Sequence, residues 1–288
     1  MRDLSISVHF VRSVLKNAVA QGLDPVGLLR KNRISPRLLL EDNARVSIER
    51  FADLQVNTML AMQDEALGYA TRRMPLGCWS MMCHAVIGCE TLGQALSRFC
   101  RFYQLFEFGI QPHLEESPEA AIIRLQQVED DSEPDPYLSE LVLFNVHRFA
   151  SWLVKEHLPL QVVELGYPPA AQPTDYRHMF LGNPVEFDQE HTRMQLAPSL
   201  LDKRVNQSEA SLRHFLRHPV LIMLTGSYAS DSWTARVRDI VSGNLADMPE
   251  LGEVAQRLEL HPQTLRRRLS GEGTSFKEIK NQLRRDTA

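Results

Sequence analysis

Residues 249–269 read Pro-Glu-Leu-Gly-Glu-Val-Ala-Gln-Arg-Leu-Glu-Leu-His-Pro-Gln-Thr-Leu-Arg-Arg-Arg-Leu. Leu251, Val254, Ala255 and Leu258 recur at helical spacing and mark the buried face of one helix. Leu265 and Leu269 lie four apart, one above the other on a second helix. Pro262 suits the first position of that helix, where its missing N–H costs nothing. His261 falls at the cap, where it is not a favoured residue. Ala255 is small where two crossing helices approach. The spacing predicts two short helices around a tight turn, a helix-turn-helix.

The second helix has another face. Gln263, Arg266, Arg267 and Ser270 stand at i, i+3, i+4 and i+7, on the side away from Leu265 and Leu269. Gln can bond adenine and Arg can bond guanine bidentately in the major groove. Gln263, Arg266 and Arg267 are therefore the expected base contacts. Thr264, Arg268, Ser275 and Lys277 are placed as phosphate contacts; Arg268 lies between the two faces, set to reach a phosphate or to lay its stem along the core edge. A run of arginines alone is ordinarily a solvated helix face. The two-helix spacing, the proline and the residues that follow distinguish this one. Gly273 is positioned to end the helix. Phe276, Ile279 and Leu283 mark a third amphipathic helix, with Thr274 or Ser275 as its cap.

The run from Trp233 to Asp286 resembles the first half of the AraC/XylS family DNA-binding domain. The resemblance rests on Leu-x-x-Val-Ala at 251–255, Thr-Leu-Arg-Arg-Arg-Leu at 264–269 and Glu-Gly-Thr-Ser-Phe at 272–276. It places Gln263, Arg266 and Arg267 where family members contact bases. Two residues depart from the pattern. Glu259 stands in the tight turn where the family usually has glycine, and Gly252 lies inside the first helix, at a cost of up to about 1 kcal/mol against alanine. The family domain holds two helix-turn-helix units joined by a long helix. The sequence reaches Ala288 where that helix is due, so the expectation is a form shortened after the first unit.

At 288 residues two domains are expected. The net charge of −4 is not that of a protein that coats nucleic acid. Residues 257–288, however, carry eight Lys/Arg against four Asp/Glu, so basic charge is confined to the helix-turn-helix end. No secretory signal or membrane-length apolar run is visible, and a cytoplasmic location is expected. Cys78, Cys83, Cys89 and Cys100 match no common zinc spacing and are read as reduced, packed thiols.

Upstream, helices are expected near 6–21, 25–31, 35–41 and 47–62. Residues 76–84 are nearly uncharged and expected to be buried. Thr91 and Gln94 form a capping box for a helix with Leu92, Ala95, Leu96, Phe99, Phe102 and Tyr103 on its buried side. The period then changes to strands at 106–115 and 120–128. A long helix from 137 to 156, a strand at 162–167, a short helix at 175–181 and strands at 185–188 and 193–196 complete the pattern. The fold class expected is α+β: a mixed helix and small-sheet sensor domain, then an all-α helix-turn-helix domain. The boundaries are 1–205 for effector binding and dimerisation, 206–230 for a linker, and 231–288 for DNA binding.

Leu76-Gly77, Thr91-Leu-Gly-Gln-Ala-Leu96 and Tyr176-Arg-His-Met-Phe-Leu-Gly-Asn-Pro-Val185-x-Phe187 also resemble a family: the arabinose-binding-like N-terminal effector domain of one branch of AraC-type regulators. That resemblance implies a small-molecule sensor, often for amino acids, amines or related metabolites, working as a homodimer. Trp79, His84, Tyr103 and Phe106 are candidate pocket residues. Each also has an ordinary reading as core, and Glu107 and Glu164 as solvated surface. No His-Glu-x-x-His, Gly-x-Ser-x-Gly or phosphate-loop pattern occurs, so no catalytic residue, metal or cofactor is assigned. The expected function is a ligand-responsive transcriptional activator that binds double-stranded DNA, a small effector and RNA polymerase. An enzyme or a protein-interaction module with an accessory helix-turn-helix is the alternative.

Overall fold

The computed structural model describes residues 5–106, 108–127, 135–171, 173–226, 233, 237, 240–241, 248–258, 260–271 and 275–280. They fall into two compact units, divided between residues 228 and 229.

The first unit is built on one helix. α6 (Pro136–Val154) buries nearly every side chain from Tyr137 to Val154. A helix apolar all round needs cover all round, and the other elements supply it. They are α1 (Val8–Ala20), α2 (Pro25–Lys31), α3 (Ile48–Met62), α4 (Cys78–Ile87), α5 (Leu92–Phe106), a five-stranded sheet, and the short helices α7 (Pro173–Met179), α8 (Glu209–Phe215) and α9 (Pro219–Thr225). One hydrophobic cluster runs through all of them except the sheet's outermost strand, which packs only partly buried side chains against it.

The sheet has the order β3-β4-β7-β5-β6, with β3 (Ile110–Glu116), β4 (Ala121–Gln127), β5 (Val162–Glu164), β6 (Val185–Glu186) and β7 (Arg193–Leu196). The β5–β6 pair is parallel and the others antiparallel. Ala121 and Ile123 on β4, with Met194 and Leu196 on β7, point into the core, the period of two that alternation demands. Register on the β3–β4 hairpin runs from Ile110 opposite Gln127 to Glu116 opposite Ala121. Its turn is tied by Ser117, whose Oγ accepts from the N–H groups of Glu119 and Ala120. The α+β reading of the sequence holds. A second, three-residue pair, β1 (Ser5–Ser7) with β2 (Arg45–Ser47), clips the start of α1 to the start of α3.

Three differences from the sequence reading have physical reasons. The sequence reading gives 206–230 as a linker holding one short helix and a break; in the structure that helix and the one after it, through Leu212, Phe215, Val220, Met223 and Leu224, are buried in the first unit's core. Pro219 breaks one helix and begins the next rather than opening a loop. The stretch 76–84 is helical from Cys78, and while Met82 and Cys83 are buried, Met81 and His84 are exposed. An uncharged helix at a surface still has an outer side. The first helix starts at Val8, because Ser5–Ser7 pair as a strand.

The chain leaves α3 through Gln63 in the left-handed region, φ 55°. Asp64, 4% exposed, then accepts three backbone N–H bonds, from Ala66 at 2.9 Å, Gly68 at 2.9 Å and Met74 at 3.0 Å. One carboxylate thus folds the whole 64–74 loop. Asp64→Ala leaves three donors without their acceptor and is expected to cost about 3 kcal/mol. Urea unfolding measures this; a loss under about 1 kcal/mol would mean that other acceptors replace the carboxylate.

α6 also carries buried ionisable groups. Glu140, 2% exposed, accepts the Tyr176 hydroxyl at 2.7 Å, and burial raises its carboxyl from 4.5 to about 7. His147 meets the Leu158 carbonyl at 2.9 Å, and burial lowers its imidazole from 6.5 to about 4. Between pH 4.5 and 7 the folded state keeps a proton on Glu140 that the unfolded chain releases, so this group makes stability fall as pH rises. Between pH 6.5 and 4 the unfolded chain takes up a proton that folded His147 refuses, so this group makes stability fall as pH drops. The two slopes oppose each other where they overlap. Glu140→Gln is expected to expose the histidine slope, with Tm rising as pH climbs from about 4 to 6.5. Relative to its standing near pH 4, the variant should gain up to about 3 kcal/mol on wild type by about pH 8. Superimposable Tm–pH profiles for the two proteins would refute the assignment.

Candidate ligand cavity and nucleic-acid interface

The first unit holds a half-open cavity of about 440 Å³. One wall is the α3 stretch from Ala52 to Leu60, buried side chains and exposed ones together. The others are the 65–79 loop, Tyr103 of α5, Phe108 and Ile110 at the start of β3, a stripe of α6 from Leu138 to Asn145, and residues 216–223. Most of the lining is apolar, and Trp79, Tyr103, Phe108 and Phe144 supply aromatic surface. Tyr103 stacks on Phe99 at 5.0 Å between centroids and meets Phe108 edge-on at 6.2 Å. Trp79 packs against Phe99 and Phe149, and its Nε1 is buried with no hydrogen-bond partner.

Two carboxylates reach the cavity. Glu65 accepts the N–H groups of Gly77 and Trp79, each at 2.7 Å, at the start of α4. Burial nonetheless raises its carboxyl above the ordinary range; those two bonds oppose the rise and the neighbouring Asp64 adds to it. Asp53 lies on the exposed side of α3, and burial raises it too, against the opposing charges of His218 and Arg33. Burial also pushes the Tyr103 phenol far up, with the nearby Glu65 charge adding to the rise and the Asn145 side chain opposing it.

Of the four candidate pocket residues, Trp79 and Tyr103 line the cavity together. His84 does not. It lies five positions beyond Trp79, about 140° around α4, is exposed, and sits 3.6 Å from Glu209. Phe106 does not either; it is 44% exposed at the end of α5, stacked on Phe108 at 5.5 Å. Glu164 pairs with Arg193, and Glu107 lies outside the described residues. Sequence reasoning missed Glu65 and the whole 216–223 wall. A signal existed for the wall: Val220-Leu-Ile-Met-Leu224 after a proline is an apolar helical turn that needs a partner. All four cysteines are free, and burial raises each thiol, that of Cys100 to about 12.

In the second unit, α10 (Leu251–Arg257) and α11 (Pro262–Gly271) pack through Val254, Ala255, Leu265 and Leu269, joined in one cluster by Val237, Val241 and Ile279. The turn is closed by Leu260 N–H on the Ala255 carbonyl at 2.9 Å. His261 opens α11 through its carbonyl, which accepts from Thr264 and Leu265, and its ring Nδ1 lies 3.4 Å from the Gln263 nitrogen. Gly252 faces open space. Glu259, Gly273 and Thr274 lie outside the described residues.

Gln263, Arg266, Arg267 and Ser270 are exposed on α11, opposite fully buried Leu265 and Leu269. Arg268 is half-buried and lies 4.0 Å over the Trp233 ring. Ser275 Oγ bonds Glu278 Oε2 at 2.9 Å and accepts the Glu278 N–H at 3.3 Å, so it caps the following helical turn. Lys277 is exposed and Thr264 half-buried. Lys280, 9% exposed, anchors that turn to the entry of α10 through the carbonyls of Met248 and Pro249 and the Glu250 carboxylate.

Among the described residues no helix is long and apolar enough to cross a membrane. The chain is 22% identical over 286 residues to the ornithine utilization regulator of Pseudomonas aeruginosa, covering 98% of this chain and 84% of that one. It is 22% identical over 290 residues to an uncharacterized HTH-type transcriptional regulator of Mycobacterium tuberculosis, covering 98% and 83%. A crystal structure of the transcriptional regulator CdpR from Pseudomonas aeruginosa aligns at 19% identity with a TM-score of 0.37, covering 91% of this chain and 82% of that one. Residues 22–205 match the family model described as the arabinose-binding domain of AraC transcription regulators, N-terminal. That match spans more than half of the sequence, and the chain belongs to this family of AraC-type transcription regulators.

Proposed function

We propose that the protein is a ligand-responsive, sequence-specific DNA-binding transcriptional activator. The observation that carries this reading is the division of α11 into a buried leucine edge and an exposed Gln263–Arg266–Arg267 face. A polar face so mounted on a packed two-helix unit suits the major groove. Gln263, Arg266 and Arg267 are assigned to bases, and Thr264, Lys277 and the edge of Arg268 to phosphates. Ser275 contributes through the backbone it caps. The relatives are transcription regulators, which favours binding over turnover in the cavity of the first unit.

The cavity is assigned to the effector, an amino acid, an amine or a related compound. The name of the Pseudomonas relative, a regulator of ornithine utilization, agrees with that class. A route for the response starts at α9. Val220 and Met223 line the cavity, while the Leu224 and Gly226 carbonyls beyond them meet His178 at 3.1 Å and His157 at 3.1 Å. A ligand that moves α9 alters the last anchored residues before the chain continues to the second unit. A coupling of about 1–3 kcal/mol between effector and DNA binding is expected. Action as a homodimer in the cytoplasm, with RNA polymerase as the protein partner, completes the proposal.

Selection from a random duplex pool with the full chain, followed by anisotropy titrations, tests the reading. Arg266→Ala and Gln263→Ala should each relax preference at one base and cost about 1–3 kcal/mol on the selected site. Lys277→Ala should weaken binding to all sequences alike and lower the salt slope by about one. Full affinity and full preference in both the Arg266 and Gln263 variants would overturn the recognition assignment.

A further inference from the structure

The effector class can be narrowed from the two ends of the cavity, taking that cavity as the effector site proposed above. Asp53 and Glu65 both line it, but they belong to different places. Asp53 lies in the first half of α3, and Glu65 follows the helix's last residue, Met62. The helix between them rises about 14 Å. The basic side chains of the lining, Arg217 and His218, are neighbours on the connection between α8 and α9, and His218 lies near enough to Asp53 to oppose the rise of its carboxyl.

The Glu65 end is different. The interactions of Glu65 are the backbone N–H groups of Gly77 and Trp79 and the like charge of Asp64. The lining there is Trp79, Tyr103 and Phe108. A carboxylate fixed by two short backbone bonds is rigid and still has a free lone pair on each oxygen. Aromatic faces beside it attract a cation through their quadrupoles. No lysine, arginine or histidine lines this end. An anion placed here would face Glu65 unpaired in an apolar wall, a costly arrangement.

We infer that the cavity takes an organic ammonium with an apolar body, its nitrogen at Glu65 beside Tyr103 and Trp79 and its body along α3 and α9. This excludes a free α-amino acid, whose carboxylate sits one carbon from the ammonium and would be carried into the Glu65 end. It also sets Glu65 apart as a specificity residue. Its carboxylate holds the first backbone N–H groups of α4, so a cation on Glu65 is felt directly by that helix.

Calorimetric titration of the full chain with four probes of matched alkyl length tests the inference: pentylamine, pentan-1-ol, pentanoate and L-norleucine, which is pentylamine with an α-carboxylate added. Pentylamine should bind at least about ten-fold more tightly than each of the other three. Glu65→Gln should abolish its advantage over pentanol, and Tyr103→Leu should reduce it. The wild-type series decides alone if Glu65→Gln does not fold. Pentanol, pentanoate or norleucine binding as tightly as pentylamine overturns the ammonium subsite and leaves the cavity as a sensor site. An undiminished pentylamine advantage in folded Glu65→Gln overturns it as well. Binding of none of the four overturns both this inference and the assignment of the cavity to the effector.

Discussion

The shape of the cavity depends on one buried carboxylate. Asp64 follows the left-handed end of α3 and gathers the N–H groups of Ala66, Gly68 and Met74. A carboxyl group that accepts from three backbone donors is among the stronger local restraints a chain can build. It turns the backbone so that Glu65 reaches the start of α4 and Trp79 comes to the cavity wall. Gly68 sits at φ +73°, a backbone that side chains rarely adopt, and a Cβ there would come within 3.0 Å of the Asn17 Cβ on α1. Loop, helix start and cavity wall are thus consequences of one carboxylate's hydrogen bonds.

The second constraint is α6. Because it is buried along its length, its polar groups depend on partners inside the protein, and only the Nδ1 of His147 is left without one among the described residues of the helix. Arg148 finds its partners in the carbonyls of Met179 and His178 and the face of Phe144 at 5.3 Å. His178 in turn meets Leu224 at the end of α9. A buried cation is thereby held by the C-terminal end of α7, where helix carbonyls carry negative partial charge. The same few residues that solve α6's polar problem fix the last helix of the sensor unit. That is a physical reason for α9 to be part of this unit and not a tether leaving it.

Most of the helices and the hairpin were legible because their apolar residues repeat at a single period. α2 and the α3 wall, β3–β4, α6 and the two helices of the second unit all fall within a few residues of their expected spans. What was not legible depends on partners remote in sequence. Residues 5–7 are too short to show a period and become a strand only by pairing with 45–47. Residues 209–225 look like a linker because Pro219 interrupts their spacing, yet each half buries its apolar side. In the cavity, Trp79 and Tyr103 stood out as large aromatics in apolar surroundings. Glu65 did not, because an acidic residue in a loop is ordinarily solvated, and its burial comes from the fold of the Asp64 loop.

The three consecutive arginines show the same lesson at smaller scale. Identical side chains at successive positions are about 100° apart around a helix, so they cannot share one environment. Arg266 and Arg267 face solvent, whereas Arg268 covers Trp233. A guanidinium stacked on an indole still carries its charge, but its stem and plane are committed to packing. Replacing Arg268 therefore removes part of the wall over the second unit's core as well as a charge. Replacing either neighbour changes only what the surface offers to a partner. The −4 net charge of the whole chain conceals this arrangement, in which packing leaves two of the three cations exposed and covers the third.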